Sequence, residues 1–204
     1  MLDAPVQMEL PARAGLVVLS APFSRAAYAH LEPGDRAPQL LARAIEKSHH
    51  FRLVSDISPH LAHGQHVEGL RELAARYRLK YLVVLTRRFV DRSHVNSFGW
   101  AWLSVVGIPF APAYTVRTEG LFEASLMDVR TGTFLFTTQV HAQAWRRETP
   151  FGAERARTHL QRRASLRAVK VLARQFMVRC DRLVKASADE ARTSAVAGLA
   201  PGAR

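Results

Sequence analysis

The sequence predicts a single α/β domain in which helices pack on a mixed sheet of about five strands, an α+β sandwich. Apolar and alternating segments follow one another in the order β-α-β-α-β-β-β-α, and the last helix is long. No internal repeat or low-complexity linker divides the 204 residues, a length that suits one domain better than two. We therefore expect an N-terminal extension over 1–12, one domain over 13–186 and a disordered tail over 187–204.

The first half of the chain predicts three strands separated by two helices. Residues 16–19 (LVVL) are a buried strand that runs into a proline-marked loop, and 51–54 form a short second strand. Asp35 is the expected N-cap of the first helix. Apolar residues three and four apart predict the second helix over 67–77, and 80–90 (KYLVVLTRRFV) are the third strand.

Alternating apolar and polar residues predict a β-hairpin between 117 and 144. Phe122, Ala124 and Leu126 share the apolar face of its first strand, and DVRTG over 128–132 is the turn. One apolar and one polar face suit an antiparallel sheet that packs on helices on one side only. The expected apolar residues of the returning strand are Phe134, Phe136, Thr138, Val140 and Ala142.

The last predicted element is a long basic helix over 151–185, whose core-facing apolar stripe includes Cys180. The net charge of the chain is +12, and residues 145–185 carry twelve Arg or Lys against three acidic residues, about three quarters of the excess. Four cations recur three and four residues apart and form a positive stripe opposite the apolar one, which makes polyanions candidate ligands. They are Arg163, Arg167, Lys170 and Arg174.

A cytoplasmic nucleic-acid-binding protein is the alternative function that this stripe suggests. Sequence-specific readout also calls for a recognisable module or for exposed aromatic residues on a sheet. The predicted polar face of the hairpin carries Glu119, Glu123, Gln139 and Gln143 instead. An anionic lipid headgroup would suit the same stripe. We expect weak, sequence-independent and salt-dependent binding to polyanions.

The sequence contains no motif that predicts an enzyme or a cofactor site. It has no phosphate-binding loop, no dinucleotide fingerprint and no nucleophile elbow. Cys180, on an apolar stripe, is expected to be inert packing. His60, His63 and His66 stand at HxxHxxH spacing, which a turn could gather around zinc or copper. Because no cysteine or carboxylate completes a standard site, we expect a solvated loop and no bound metal.

An uncharged segment over 95–116 is long enough to span a bilayer. Pro109 and Pro112 would break a spanning helix. Because the flanking strands belong to one sheet, they cannot lie on opposite sides of a membrane, so the segment must leave the domain and return to it on the same side. Either it packs on the domain as an extra part of the core, or it projects towards a membrane interface or a partner's groove. The expected contact residues are Trp100, Trp102, Phe110 and Tyr114.

Four segments resemble the bacterial rhombotarget lipoproteins: LPARAGLVVLSAPFS, LRELAARYRLKYLVVLTRRF, WAWLSVVGIPFAPAYT and LFEASLMDVRTGTFLF. The resemblance covers roughly residues 10–140. The wider pattern of the chain is also similar to the small α/β domains of envelope lipoproteins such as the curli-secretion and TolB amino-terminal type. The resemblance implies a non-enzymatic envelope lipoprotein. The start of the sequence shows neither a signal peptide nor a lipobox cysteine, so a cytoplasmic location is the alternative.

Taken together, these observations predict a non-catalytic binding or scaffolding module at the periplasmic side of a bacterial membrane. The expected partner is a membrane surface or an envelope protein, reached through the aromatic residues of the uncharged segment. No small-molecule substrate and no cofactor are predicted.

Overall fold

The computed structural model describes residues 10–20, 36–57, 66–95, 114–149 and 152–198. The elements follow the predicted order, with one long helix at the end. They are β1 (Ala12–Ser20), α1 (Ala37–Glu46), β2 (Phe51–Ile57), α2 (Val67–Arg76), β3 (Tyr81–Val95), β4 (Tyr114–Asp128), β5 (Phe134–Glu148) and α3 (Ala153–Gly198).

The five strands form one mixed sheet in the order β2-β1-β3-β4-β5, which confirms the predicted fold class. β1 runs parallel to both β2 and β3, whereas β3, β4 and β5 are antiparallel neighbours. Because β2 and β3 lie on opposite sides of β1, crossovers of the usual right hand place α1 and α2 on opposite faces of the sheet. We call the face of the sheet that α1 and α3 cover the α3 face, and the face that α2 covers the α2 face.

A separate apolar core lies on each face, and both belong to a single domain. On the α3 face, Leu16 and Phe122 pack with Phe176 of α3. On the α2 face, Val17 packs with Leu73 of α2. Since successive residues of a strand point to opposite faces, β1 is buried on both, and this explains why its sequence is a continuous apolar run.

Buried residues recur at every fourth position of α3. Because an α-helix turns about 100° per residue, each such step rotates the buried stripe by about 40° around the helix. The first part of the stripe packs on the beginning of β4 and the end of β5. The last part packs between β5 and α1. The residues of this stripe are Ala156, Leu160, Ala164, Ala168, Leu172, Phe176 and Cys180, and Ser165, Val169 and Ala173 are buried beside it.

The prediction that residues 187–204 form a disordered tail is wrong for the first part of this range, because α3 continues to Gly198. The segment after Lys185 is rich in alanine, the best helix former, and its first proline is Pro201. The predicted start at 151 is also early, since α3 begins at Ala153.

Two further predictions on local structure differ from what is observed. α1 begins at Ala37 with Arg36 at its N-cap and Pro38 in its first turn, where proline's fixed φ suits a helix, while Asp35 lies outside the described residues. Phe134 is 44% exposed rather than on the apolar face. The cause is an irregularity in the β4–β5 register at Leu126, which ends the simple alternation.

The hairpin turn between β4 and β5 forms as predicted. The N–H of Gly132 donates to the carbonyl of Asp128 at 2.8 Å, and Gly132 has a φ of +75°, which favours glycine. The Asp128 carboxylate accepts from the N–H of Arg130 at 2.8 Å. Arg71 of α2 donates to the carbonyls of Val129 and Arg130 at 3.1 and 3.0 Å, so the turn is tied to the helix.

Candidate functional site

The ends of the uncharged segment lie next to each other. β3 and β4 are each 15 residues long, and Val95, the last residue of β3, is the Cα partner of Tyr114, the first residue of β4. Tyr114 also pairs with Glu148 at the end of β5. The predicted return on the same side is therefore confirmed, and the connection shortens to 96–113.

We call the part of the sheet nearest this connection, comprising 90–95, 114–119 and 143–148, the loop-bearing end. Of the predicted contact residues, Tyr114 lies there and is half-buried. Trp100, Trp102 and Phe110 lie outside the described residues.

The α2 face of the loop-bearing end carries an exposed tryptophan. Trp145 is 66% exposed and is the Cα partner of Arg117, which in turn pairs with Arg92 of β3. Val90, on the same face, is also exposed. Within the described ranges, α2 covers this face only near β1, β2 and the opposite end of β3 and β4. The three strands therefore extend beyond their helical cover and present a mixed aromatic and basic surface.

Cations outnumber acids at the loop-bearing end. Arg117 contacts Glu119 at 2.9 Å and donates to the side-chain oxygen of Gln143 at 3.0 Å. Arg146 contacts Glu148 at 3.2 Å. Arg92 and Arg147 lie on the outer strands, on the same face as Arg117 and Glu119, so the α2 face of this end carries three arginines against one glutamate.

Sequence reasoning missed Trp145 as a surface residue, although a signal was present. From Thr137 to Gln143 the residues of β5 on the α2 face are all polar, namely Thr137, Gln139, His141 and Gln143. A tryptophan in the polar phase of an alternating strand is expected to be exposed, and exposed tryptophan often marks an interface.

A buried polar junction joins the loop-bearing end to α3. The hydroxyl of Thr118, which is fully buried, donates to Asp91 at 2.7 Å, and the Nε2 of Gln161 donates to the other carboxylate oxygen at 2.7 Å. The Nε of Arg157 lies 3.9 Å from the same oxygen. Because one carboxylate oxygen binds a residue of β4 and the other binds a residue of α3, Asp91 positions the helix on the sheet.

The predicted basic stripe lies on the outer surface of α3. Arg163, Arg167, Lys170 and Arg174 are all exposed, and in the described part of the chain none of them pairs with a carboxylate. The stripe points away from the sheet, opposite Leu172 and Phe176. The sheet and α3 therefore separate it from the surface around Trp145, and the two candidate contact surfaces are distinct.

The histidines of the HxxHxxH motif do not form a cluster in the part of the chain that the structure describes. His66 is exposed at the N-cap of α2, and His60 and His63 lie outside the described residues. Over the described ranges no group of three potential metal ligands occurs. His50, in contrast, has a structural contact, since its Nε2 lies 2.6 Å from the Asp181 carboxylate of α3.

Cys180 is packing, as its position on the apolar stripe predicts. It is fully buried. Burial, and to a smaller extent the nearby negative charge of Asp181, raises the pKa of its thiol to about 12. A thiol that stays protonated at neutral pH is a poor nucleophile.

No protein-family model matches the chain, and the search of curated proteins finds no significant similarity. Solved structures that are similar to this chain include bacterial lipoproteins. The minor lipoprotein from Acinetobacter baumannii is 11% identical, with a TM-score of 0.42 over 81% of this chain and 91% of that one. The rare lipoprotein B from Shewanella oneidensis is 10% identical, with a TM-score of 0.39 over 83% and 98%.

A further similar structure is the putative neuraminyllactose-binding hemagglutinin homolog from Helicobacter pylori. It is 8% identical, with a TM-score of 0.49 over 90% of this chain and 93% of that one. Likenesses at this level decide nothing about activity. Among the described residues, no helix has an apolar run of the length that a bilayer crossing requires.

Proposed function

We propose that this protein is a non-catalytic module of the bacterial envelope that binds an anionic membrane surface through its loop-bearing end. The observation that carries the proposal is the pairing of Val95 with Tyr114. It makes the uncharged segment over 96–113 a connection between adjacent strands, at the end where Trp145 is exposed. The envelope location follows from the resemblance to rhombotarget lipoproteins.

The chemistry of this end suits a lipid interface. Tryptophan and tyrosine favour the headgroup level of a membrane, and the segment over 96–113 supplies apolar side chains without a charge to desolvate. The strands supply the cations. At about 1 kcal/mol per basic residue near an anionic surface, the net excess of two arginines contributes about 2 kcal/mol.

The groups that could support catalysis have structural tasks instead. The Asp91 carboxylate accepts two hydrogen bonds at 2.7 Å, and the Cys180 thiol is buried and protonated. Both observations support a binding module rather than an enzyme.

The test is co-sedimentation of the full chain with vesicles of phosphatidylglycerol and phosphatidylcholine. We expect binding that falls as salt rises and is lost in Trp102→Ala/Phe110→Ala. Arg92→Gln/Arg147→Gln should weaken it about 30-fold, as the loss of about 2 kcal/mol requires. Lys170→Gln/Arg174→Gln removes the same charge from the stripe on α3 and serves as the matched control.

Three outcomes would contradict the proposal. If the control variant weakens vesicle binding as much as the variant of the loop-bearing end, the contact is a diffuse effect of net charge. If neither variant nor lipid composition matters, the loop-bearing end does not bind lipid. If a defined nucleic acid binds with submicromolar affinity and loses it in Lys170→Gln/Arg174→Gln, the alternative function is correct.

A further inference from the structure

A basic cleft lies at the amino ends of the three parallel strands, beside the end of α2. Its volume is about 420 Å³, and sites for small ligands occupy roughly 300–1,000 Å³. Four of its seven lining residues are cationic and none is acidic. The lining residues are Leu10, Pro11, Ala12, Arg13, Arg52, Arg78 and Lys80.

The parallel arrangement brings these cations together from distant parts of the sequence. Arg13 and Arg52 are the second residues of β1 and β2, and Lys80 directly precedes β3. The N–H of Lys80 donates to the carbonyl of Arg13 at 3.0 Å, so these two residues are neighbours across the strands.

An irregularity in β2 adds Arg52 to the cleft. Ala12 is the Cα partner of Phe51, but the next residue, Arg13, is the partner of Leu53. Arg52 is therefore an additional residue in the ladder. Such bulges redirect side chains and are frequent next to functional sites.

Arg78 enters the cleft from a strained turn. It has a φ of +53° directly after α2, and its N–H donates to the carbonyl of Ala75 at 2.9 Å, while the N–H of Leu79 donates to Ala74 at 3.0 Å. This is the helix-ending motif in which glycine is usual at the left-handed position. An arginine there keeps an unfavourable backbone conformation, which is the kind of feature that functional sites retain.

The arginines of the cleft are not neutralised by acids of the residues that the structure describes. Arg13, Arg52 and Arg78 have no carboxylate partner within the described ranges, in contrast to Arg76, which contacts Glu72 at 2.6 Å. Guanidinium groups bind phosphate oxygens in a bidentate manner, so several of them around one cleft suit a phosphate. The carboxyl end of α2 adds partial negative charge, which opposes any anion, but the three guanidinium groups outweigh it, and their attraction grows with the charge of the ligand.

We propose that this cleft binds a phosphate group that carries at least two negative charges, a phosphomonoester or a diphosphate. The ligand is either a soluble phosphorylated molecule or a lipid headgroup. This site is separate from the loop-bearing end and does not depend on the function proposed above.

The experiment is isothermal titration calorimetry of the full chain with inorganic pyrophosphate at low ionic strength. We expect one saturable site, and at least a tenfold weaker affinity in Arg52→Gln/Arg78→Gln. Arg167→Gln/Arg174→Gln removes the same charge from α3 and should change the affinity less than twofold. Arg78→Gly removes one charge and relieves the backbone, so weaker binding in this variant is not a consequence of unfolding.

Two results would overturn the proposal. One is the absence of saturable pyrophosphate binding by the unaltered chain. The other is equal weakening in the cleft variant and the α3 variant, which would mean attraction by net charge alone.

Vesicles distinguish the two sources of the phosphate. Phosphatidic acid exposes a phosphomonoester, whereas phosphatidylglycerol exposes only a phosphodiester. If the ligand is a headgroup, phosphatidic acid vesicles bind more tightly than phosphatidylglycerol vesicles of equal charge, pyrophosphate abolishes this difference, and so does Arg52→Gln/Arg78→Gln. If the ligand is soluble, that variant loses its binding to pyrophosphate, but its binding to vesicles does not change. Both results support the site, and Trp102→Ala/Phe110→Ala should retain pyrophosphate binding in either case.

Discussion

Replacing Asp91 by alanine tests whether the polar junction holds α3 on the loop-bearing end. The change removes the acceptor of two hydrogen bonds, from Thr118 and Gln161, each 2.7 Å long. Hydrogen bonds to a charged group contribute about 1.5–3 kcal/mol each. Because the Asp91 side chain is 20% exposed, the lower figure applies, and we expect a loss of about 3 kcal/mol in the free energy of unfolding.

The burial of Thr118 gives the prediction a second component. Its hydroxyl is fully buried and loses its partner in Asp91→Ala, so part of the loss is the desolvation of that hydroxyl. Thr118→Val removes the hydroxyl and keeps the shape. In Asp91→Ala/Thr118→Val we therefore expect a total loss about 1 kcal/mol smaller than the sum of the single losses.

Urea denaturation followed by circular dichroism measures all four members of this cycle. Asp189→Ala is the matched control, because its carboxylate is exposed and lies 3.9 Å from Arg192. That variant should lose no more than about 0.5 kcal/mol. A loss below about 1 kcal/mol in Asp91→Ala, or strictly additive single variants, would refute the assigned role of the junction.

Two further predictions concern the core and the hairpin turn. The thiol pKa of Cys180 is raised from 9.0 to about 12, so above pH 9 the unfolded chain binds fewer protons than the folded one. Stability should be unaffected by this group below pH 9 and fall by up to about 1.4 kcal/mol per pH unit above it, and urea titrations of the chain and of Cys180→Ala should differ in that slope. Gly132→Ala should cost about 1–2 kcal/mol, because alanine is strained at a φ of +75° and its Cβ would lie 2.8 Å from the Cδ of Arg71. Thermal denaturation measures this loss of stability. In an Arg71→Ala background the part that comes from backbone strain should remain. If Gly132→Ala leaves stability unchanged in both backgrounds, the prediction is wrong.

The element order was predictable because each element has a local pattern. The apolar run of β1 reflects burial on two faces, and the alternation in β4 reflects burial on one. The positive stripe of α3 followed from helical spacing alone. The lengths of β3 and β4 were underestimated because the last residues of β3 and the first residues of β4 extend beyond α2, where the α2 face is exposed and the alternation of apolar and polar residues disappears.

The residues that sequence reasoning missed depend on contacts between distant segments. Asp91 meets Gln161 across 70 positions, and no local pattern in either segment indicates the partner. Likewise Arg13, Arg52 and Lys80 share a cleft only because three strands are parallel and an irregularity in β2 adds Arg52. Trp145 had a local signal, its place in the polar phase of β5.

The four-residue spacing of the buried positions in α3 limits how this protein can evolve in length. A deletion of one residue near Leu166 would turn everything after it by about 100°, bringing Arg174 towards the core and Phe176 towards solvent. An insertion of four residues would turn the same half by only about 40°, the step that the buried stripe already takes. Homologous chains should therefore vary in length in the connections and at the end of α3, while the span from Ala156 to Cys180 keeps a constant number of residues.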